Sequence, residues 1–231
     1  MKCVFTALAV TLYFSAPAQQ RYNAPLLDTL TEICHSNTTS KYFAQLYQQA
    51  IEATNKFAAD EPDSVRQFVI GFESYFGPSF FRSYHNLVNN SRQIEGWKFY
   101  YSHSSLNEMQ YKFLGMNAHI NGDMWIALKE KYNYDSLKKY RHPLISFQKA
   151  LNVFFDSIYT TTGNYKKLKR LHFFTLGLDK KIGRKILLHW RKKQVELAML
   201  YYSDPKKWKR KLKNDERRIH RWNRFALNWI K

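Results

Sequence analysis

Apolar residues recur every three or four positions along most of the chain, which is the spacing of one helix face. A clear case covers residues 43–57, and a second covers residues 65–76. Gly77-Pro78 predicts an interruption, after which the pattern resumes at Phe80. No region shows the sustained period of two that strands show. We therefore predict an all-α fold, a single globular domain of about seven to nine helices with little or no sheet.

Further helices are expected downstream. One begins near Ser104 or Ser105, where a serine cap precedes Glu108, and runs through His119 to about Tyr132. The remaining helices are expected over residues 144–159, 164–177 and 179–202, with Ser203-Asp204-Pro205 capping a last one.

The first residues have the order of a cleavable export signal. Met1-Lys2 is positive, Cys3 to Phe14 is apolar, and small residues follow at positions 16 and 18. An apolar run of about 12 residues is too short to cross a bilayer, which needs roughly 20. We predict a signal peptide over residues 1–18, cleaved near Ala18, and a periplasmic or extracellular helical domain over residues 19–231.

Composition adds two constraints to this picture. The whole chain has 17 Phe and 16 Tyr, and 15 of each lie in the mature domain, which gives it enough apolar surface for a sizeable core. Loss of Cys3 with the signal leaves Cys34 alone, so an internal disulfide is excluded and the fold depends on packing. A small buried hydrophobe is the favoured interpretation of Cys34, ahead of a reactive thiol.

Positive charge is concentrated in the C-terminal part, residues 166–231, which has 22 Lys and Arg against 5 Asp and Glu. The last helix combines an apolar stripe with basic flanks. The stripe is Trp208, Leu212, Ile219, Trp222, Ala226 and Trp229, interrupted by Asp215, and the first flanking cations are Lys206, Lys207, Lys209, Arg210 and Lys211. We favour a helix docked on the core with solvated cations outside. The alternative is contact with an anionic surface, phospholipid or lipopolysaccharide, with nucleic acid less favoured after export.

Four polar residues interrupt an otherwise apolar helix: Asn117, His119, Asn121 and Asp123. At helical spacing, His119 and Asp123 share one stripe, and Asn117 and Asn121 share another. Burial of so many polar groups is costly unless each has a partner. The segment is therefore the best candidate for a functional site.

Three interpretations of this segment stay open. His119 and Asp123 suit zinc or another divalent metal, although a tetrahedral site needs at least three protein ligands. Asp123 can instead orient His119 as a general base. A purely structural network is the third interpretation, in which His119 bridges helices and the Asn pair caps backbone groups. Further metal ligands would come from His35, Asp60, Glu73, His85, His189 or Glu196.

The motif resembles the signature of an uncharacterised bacterial all-helical family of unknown function, with a G-x-N-A-H-I-N-x-D-L core. The matching residues are Gly115, Asn117, Ala118, His119, Ile120, Asn121 and Asp123, and Met124 replaces the usual Leu. Arg191 resembles an Arg that this family places in a late helix. The resemblance implies the fold class and leaves the activity open.

A more distant resemblance is to the helical zinc-dependent phospholipase C and single-strand nuclease superfamily. His119-Ile-Asn-Gly-Asp123 is similar to its H-x-x-G-D segment, where His and Asp bind zinc. The superfamily's next His is Trp125 here, and the mature chain lacks its N-terminal Trp, so at most a reduced metal site is implied. Fold-level analogy does not establish activity.

Two functions follow from these patterns. The first is a metal-dependent hydrolase of a phosphoester, with His119 and Asp123 as ligands and Asn117, Asn121, Glu73, Arg191 and Glu196 lining the site. Its basic C-terminal part attracts an anionic small molecule. The second is a non-enzymatic, envelope-associated binding module, in which the His119 network is structural. No P-loop, G-x-S-x-G or H-E-x-x-H motif occurs in the chain.

Overall fold

The computed structural model describes residues 22–85, 95–151 and 178–230. Within these ranges the chain forms nine helices in one domain and has no strand, so the all-α prediction is confirmed. The helices are α1 (Ala24–Cys34), α2 (Ser40–Ala59), α3 (Asp63–His85), α4 (Glu95–Tyr101), α5 (three consecutive stretches, Glu108–Met116, Asn117–Asp123 and Met124–Lys131), α6 (Tyr134–Lys139), α7 (Arg141–Ala150), α8 (Leu178–Ser203) and α9 (Pro205–Trp229).

Several predictions fall outside the described ranges. They are the signal peptide over residues 1–18, the helix over 164–177, and the end of the helix expected over 144–159. The start of that last helix is described as α7, which begins at Arg141. The helix expected over 43–57 is confirmed as α2.

Helix α5 lies at the centre of the fold and contacts α2, α3, α4, α8 and α9. Its middle stretch, Asn117–Asp123, is a π-helix, and all its residues except Ile120 are buried. A π turn is wider than an α turn, and short π segments inside α-helices occur frequently at functional sites. The polar motif therefore lies at the middle of the core, within reach of several helices.

The start of α5 differs from the prediction. The cap is Asn107 and not Ser104 or Ser105, which lie in the bend before it. The Asn107 side chain accepts a hydrogen bond from the Gln110 amide at 2.9 Å, and the Gln110 side chain accepts one from the Asn107 amide at 3.0 Å. Because this capping box satisfies both amides, it fixes the helix start two or three residues later than expected.

The predicted interruption at Gly77-Pro78 is wrong, because α3 continues through it to His85. A proline inside a helix costs about 3 kcal/mol. Burial of Phe76 and Phe80 on either side contributes roughly 1.5–3 kcal/mol each, which offsets that cost. Since α3 is continuous, Glu73 and Ser79 are held in a fixed relation to each other.

Helices α8 and α9 are the longest, with 26 and 25 residues. The predicted cap of α9 is confirmed, since the Asp204 side chain accepts a hydrogen bond from the Lys207 amide at 2.9 Å. Ile219 and Ala226 of the predicted stripe are buried against the core. No helix of the described residues is long and apolar enough to span a membrane.

The thiol of Cys34 lies at the end of α1, half-buried, 3.6 Å from the side-chain oxygen of Gln48. Burial raises its pKa above the ordinary value. A thiol with a raised pKa has little thiolate at neutral pH and is therefore a poor nucleophile. Its packing beside the α1–α2 contact fits the interpretation as a small hydrophobe.

Candidate functional site

The side chains of His119 and Asp123 lie one turn apart on α5 and contact each other directly. Nδ1 of His119 is 3.2 Å from Oδ2 of Asp123. The same carboxylate oxygen accepts hydrogen bonds from the Trp97 indole at 2.7 Å and the Ser79 hydroxyl at 3.1 Å. His119 is 2% exposed and Asp123 4%. The carboxylate is therefore held by three helices, α3, α4 and α5.

This contact determines the proton arrangement on His119. A neutral imidazole donates from one nitrogen only, and Asp123 is an acceptor, so the proton lies on Nδ1. Burial lowers the pKa of His119, and the positive charge of Arg191 lowers it further against the opposing effect of Asp123. Nε2 then carries a free lone pair, and it is buried without a hydrogen-bond partner among the described residues.

Aromatic rings surround the imidazole. Phe76 stacks on it with centroids 3.7 Å apart and planes inclined by 9°. Tyr47 meets it at an angle, with centroids 4.6 Å apart. These contacts hold the ring in place, so that Nε2 is fixed in an apolar surrounding of low dielectric.

Glu73 of α3 is the second buried acid of this region, and it is 3% exposed. The Tyr47 hydroxyl donates a hydrogen bond to its Oε2 at 3.2 Å. Burial raises the pKa of Glu73 to about 7, although Arg191 and the Tyr47 hydrogen bond act in the opposite direction. At neutral pH, Glu73 can therefore both give and accept a proton.

Arg191 of α8 carries the positive charge nearest to this acid and is 2% exposed. Its Nε donates a hydrogen bond to Oε1 of Gln148 at 3.1 Å, and its guanidinium lies 4.8 Å from the centroid of the Phe147 ring. Burial lowers the pKa of Arg191 to about 10, partly offset by Glu73 and Tyr47. Among the described residues, Nη1 has no hydrogen-bond partner, and no Asp or Glu forms an ion pair with the guanidinium.

We call the group Tyr47, Glu73, His119, Asp123 and Arg191 the polar centre. Four of its members were named from sequence, and α2, α3, α5 and α8 bring all five together. Buried charges are normally paired, and buried polar atoms normally bonded. The polar centre departs from this rule at His119 Nε2 and Arg191 Nη1.

Asn117 and Asn121 lie on the other face of the π segment and do not line the polar centre. The Asn117 amide donates to Ile219 O at 3.0 Å and to Asn223 Oδ1 at 2.8 Å. Asn121 donates to Asn117 Oδ1 at 2.8 Å and accepts from Arg218 at 3.1 Å. The pair therefore fixes the backbone of α9, as one interpretation of the sequence proposed.

Apart from Glu73, the further metal ligands predicted from sequence lie away from His119 and Asp123. His35, Asp60, His85 and His189 are exposed. Glu196 is half-buried and accepts hydrogen bonds from Lys193 at 3.4 Å and Lys211 at 3.3 Å. The described part of the chain contains no group of three His, Cys, Asp or Glu that can hold a metal ion.

The five cations expected on the surface of the last helix fall into two groups. Lys206, Lys207, Lys209 and Arg210 are exposed. Lys211 is half-buried and forms an ion pair with Glu196. The first four therefore belong to the outer side of α9, whereas Lys211 belongs to the contact between α8 and α9.

Sequence reasoning did not find Tyr47, Ser79 or Trp97. Tyr47 lies in the apolar face of α2, and Trp97 is a large aromatic residue of the core, so both resemble ordinary core residues. Nothing in their local sequence marks a polar role. Only their hydroxyl and indole groups, which need partners when buried, were available as a weak signal.

The fold and site define an all-α protein with a buried polar centre beside a π-helical segment. Residues 25–228 match the family described as "Family of unknown function (DUF5995)", and the chain belongs to that family. Neither the curated proteins nor the solved structures contain a match to this chain.

Proposed function

We propose that this protein is a metal-independent acid–base enzyme that acts on a small anionic ester, with His119 as the general base. The supporting observation is the free lone pair of His119 Nε2, buried without a partner while Nδ1 is bonded to Asp123. A carboxylate that orients an imidazole in this way is the arrangement of general-base catalysis.

Arg191 provides the anchor for the anionic group of the substrate. A guanidinium binds carboxylate and phosphate through parallel hydrogen bonds, and Nη1 of Arg191 has none. A bound anion would supply the charge that the described residues leave uncompensated. Each of Glu73, His119, Asp123 and Arg191 is under 5% exposed, so the substrate enters through a local opening of the helices.

The proposed reaction is hydrolysis. His119 Nε2 takes a proton from water as the water oxygen bonds to the ester centre, and the ester bond to the leaving oxygen breaks. Protonated Glu73 gives its proton to that oxygen. A proton then returns from the His119 imidazolium to the Glu73 carboxylate, which restores both groups.

A metal-dependent phosphoester hydrolase, suggested by the resemblance to the phospholipase C and nuclease superfamily, has less support. His119 Nδ1 and Asp123 Oδ2 are bonded to each other, and the described residues supply no third ligand. The positive Arg191 also disfavours a cation nearby. Zinc or another divalent metal would need ligands from outside the described ranges.

A purely structural role is the second candidate, and one observation favours it. Asp123 Oδ2 already accepts from Trp97 and Ser79 as well as contacting His119, which is typical of a network that locks a core. In that case the protein is a binding module and His119 contributes to stability alone.

The test is hydrolysis of the anionic esters p-nitrophenyl phosphate and bis(p-nitrophenyl) phosphate, with and without EDTA. We expect turnover of at least one ester that survives EDTA, is lost in His119→Gln and is kept in the exposed control His189→Gln. Turnover that needs added zinc would support the metal hydrolase. A folded His119→Gln with full turnover, or no turnover by any variant, would contradict the proposal.

We also propose that the mature protein is exported after cleavage near Ala18, on the basis of the N-terminal charge and apolar pattern. The mass of the protein recovered from the periplasm or medium tests this. A chain that begins at Gln19 is expected, and an uncleaved cytoplasmic chain would contradict it.

We expect the G-x-N-A-H-I-N-x-D-L pattern to mark the whole family. The pattern supplies both the His119–Asp123 pair and the Asn117–Asn121 pair, which face opposite sides of α5. An alignment of family members tests this. Frequent loss of His119 or Asp123 with retention of the Asn pair would contradict the enzymatic proposal.

A further inference from the structure

The outer side of α9 has a charge pattern that the polar centre does not explain. Between residues 205 and 229 the helix has ten Lys and Arg against two Asp and Glu. Six of the cations are spaced by three or four residues and are all exposed: Lys206, Arg210, Lys213, Arg217, Arg221 and Arg224. We call these six the cationic stripe.

The cationic stripe lies opposite the face by which α9 packs. At 3.6 residues per turn its six members fall within about 80° of arc and extend about 27 Å along the axis. Asp215, Ile219 and Ala226, which are buried, lie on the other side of the helix. The stripe is therefore the part of α9 that projects furthest from the core.

The ion pairs of the region leave the cationic stripe uncompensated. Asp215 pairs with Arg218, and Glu196 pairs with Lys193 and Lys211. Among the described residues, no member of the stripe forms an ion pair with an acidic side chain. Six like charges on one line repel each other, and an anionic partner relieves that repulsion.

The geometry points to a flat anionic partner, and we propose that the cationic stripe docks this protein on the surface of a bilayer containing anionic phospholipid. The stripe is the outermost line of α9 and is straight over about 27 Å, so a flat surface can lie along it. Its six members are Lys and Arg, whose charged groups bind the phosphate oxygens of lipid headgroups. The apolar face of α9 stays packed in the core, so binding is electrostatic and peripheral.

The experiment measures sedimentation of the full chain with vesicles of phosphatidylcholine alone or mixed with phosphatidylglycerol. We expect binding only to the mixed vesicles, and release by salt, since screening weakens exposed charges. The triple variant Arg210→Gln, Lys213→Gln and Arg217→Gln should bind roughly 100-fold more weakly, or ~3 kcal/mol at about 1 kcal/mol per basic residue.

The matched control is Lys56→Gln, Lys138→Gln and Lys181→Gln, which removes three exposed cations elsewhere and leaves the stripe intact. Circular dichroism of both variants checks that the helices persist. Equal loss of binding in the two triples would overturn the proposal, because net charge alone would then explain it. Tighter binding to a duplex DNA oligonucleotide than to the mixed vesicles at equal salt would also overturn it.

Discussion

The two faces of the π segment have the same number of polar side chains but different chemistry. The Asn face, Asn117 and Asn121, consists of neutral amides bonded to each other and to α9. The His face, His119 and Asp123, joins a carboxylate to an imidazole whose pKa is lowered by burial and whose Nε2 is unbonded. Buried atoms without a hydrogen-bond partner also occur beside the Asn face, at Asn223 Nδ2 and Arg218 Nε, so unbonded atoms do not separate the two faces. The difference is that the His face itself contains a titratable group with a perturbed pKa, which is typical of functional sites. We therefore propose a structural role for the first face and a functional role for the second.

The largest expected loss of stability comes from the Asn face. Asn117→Ala removes the partner of Ile219 O, Asn223 and Asn121, and each buried group left unbonded costs about 1–3 kcal/mol. We expect the free energy of unfolding in urea to fall by about 4 kcal/mol. Asn228→Ala, at an exposed site of α9, is the control and should change it by less than about 0.5 kcal/mol. Similar losses of unfolding free energy in both variants would show that the Asn face has no special structural role.

On the His face, Glu73 should make stability depend on pH. Its pKa is raised from 4.5 to about 7 in the folded state, so the unfolded chain holds fewer protons between these values. Stability is therefore lost as pH rises from 4.5 to about 7, by about 3 kcal/mol in total. Glu73→Gln lacks this pH-dependent contribution. The difference between the free energies of unfolding of the variant and the wild type therefore changes by about 3 kcal/mol between pH 4 and pH 8. A constant difference across this range would contradict the raised pKa.

Trp97→Phe tests how firmly Asp123 is held. The variant removes the indole donor at 2.7 Å from Oδ2 and keeps most of the ring contacts. Hydrogen bonds to charged groups contribute about 1.5–3 kcal/mol, so we expect a loss near 2 kcal/mol in urea unfolding. Trp222→Phe is the control: the structure shows no hydrogen bond from its indole to Asp123, so this variant should lose less free energy of unfolding. An equal cost in both would show that packing, not the hydrogen bond, holds Trp97.

The smallest effect on stability is expected at Arg191. Arg191→Met removes a buried charge that forms no ion pair among the described residues, but it also leaves buried Gln148 Oε1 without its donor, which costs about 1–3 kcal/mol. We therefore expect the free energy of unfolding in urea to fall by about 1 kcal/mol. Turnover of the anionic ester should nevertheless be lost, because the anchor is gone. A loss of stability above about 3 kcal/mol would instead assign Arg191 to the structural framework.

Helical periodicity predicted the fold class, α2 and the long α8, and the residues that precede α9 predicted its cap at Asp204. It predicted a break at Pro78 that does not occur, because packing of Phe76 and Phe80 outweighs the cost of a proline inside a helix. It also placed the start of α5 at Ser104 or Ser105, whereas Asn107 is the cap. These are tertiary and short-range effects that the spacing of apolar residues does not contain.

For the site, spacing correctly paired His119 with Asp123 and Asn117 with Asn121, since both pairs are local. Convergence of Glu73 and Arg191, more than a hundred residues apart in the chain, depends on how α3 and α8 pack around α5. The role of Tyr47 was not predictable, because a tyrosine on an apolar helix face resembles a core residue.

The central claim is that His119 presents a free Nε2 in the polar centre while Asp123 holds the proton of Nδ1. Nitrogen-15 NMR of the imidazole in the full chain measures this directly. We expect a neutral ring at neutral pH, protonated on Nδ1 and unprotonated on Nε2, because burial lowers the pKa of His119. A proton on Nε2, or an imidazolium at neutral pH, would contradict the assignment of His119 as a general base.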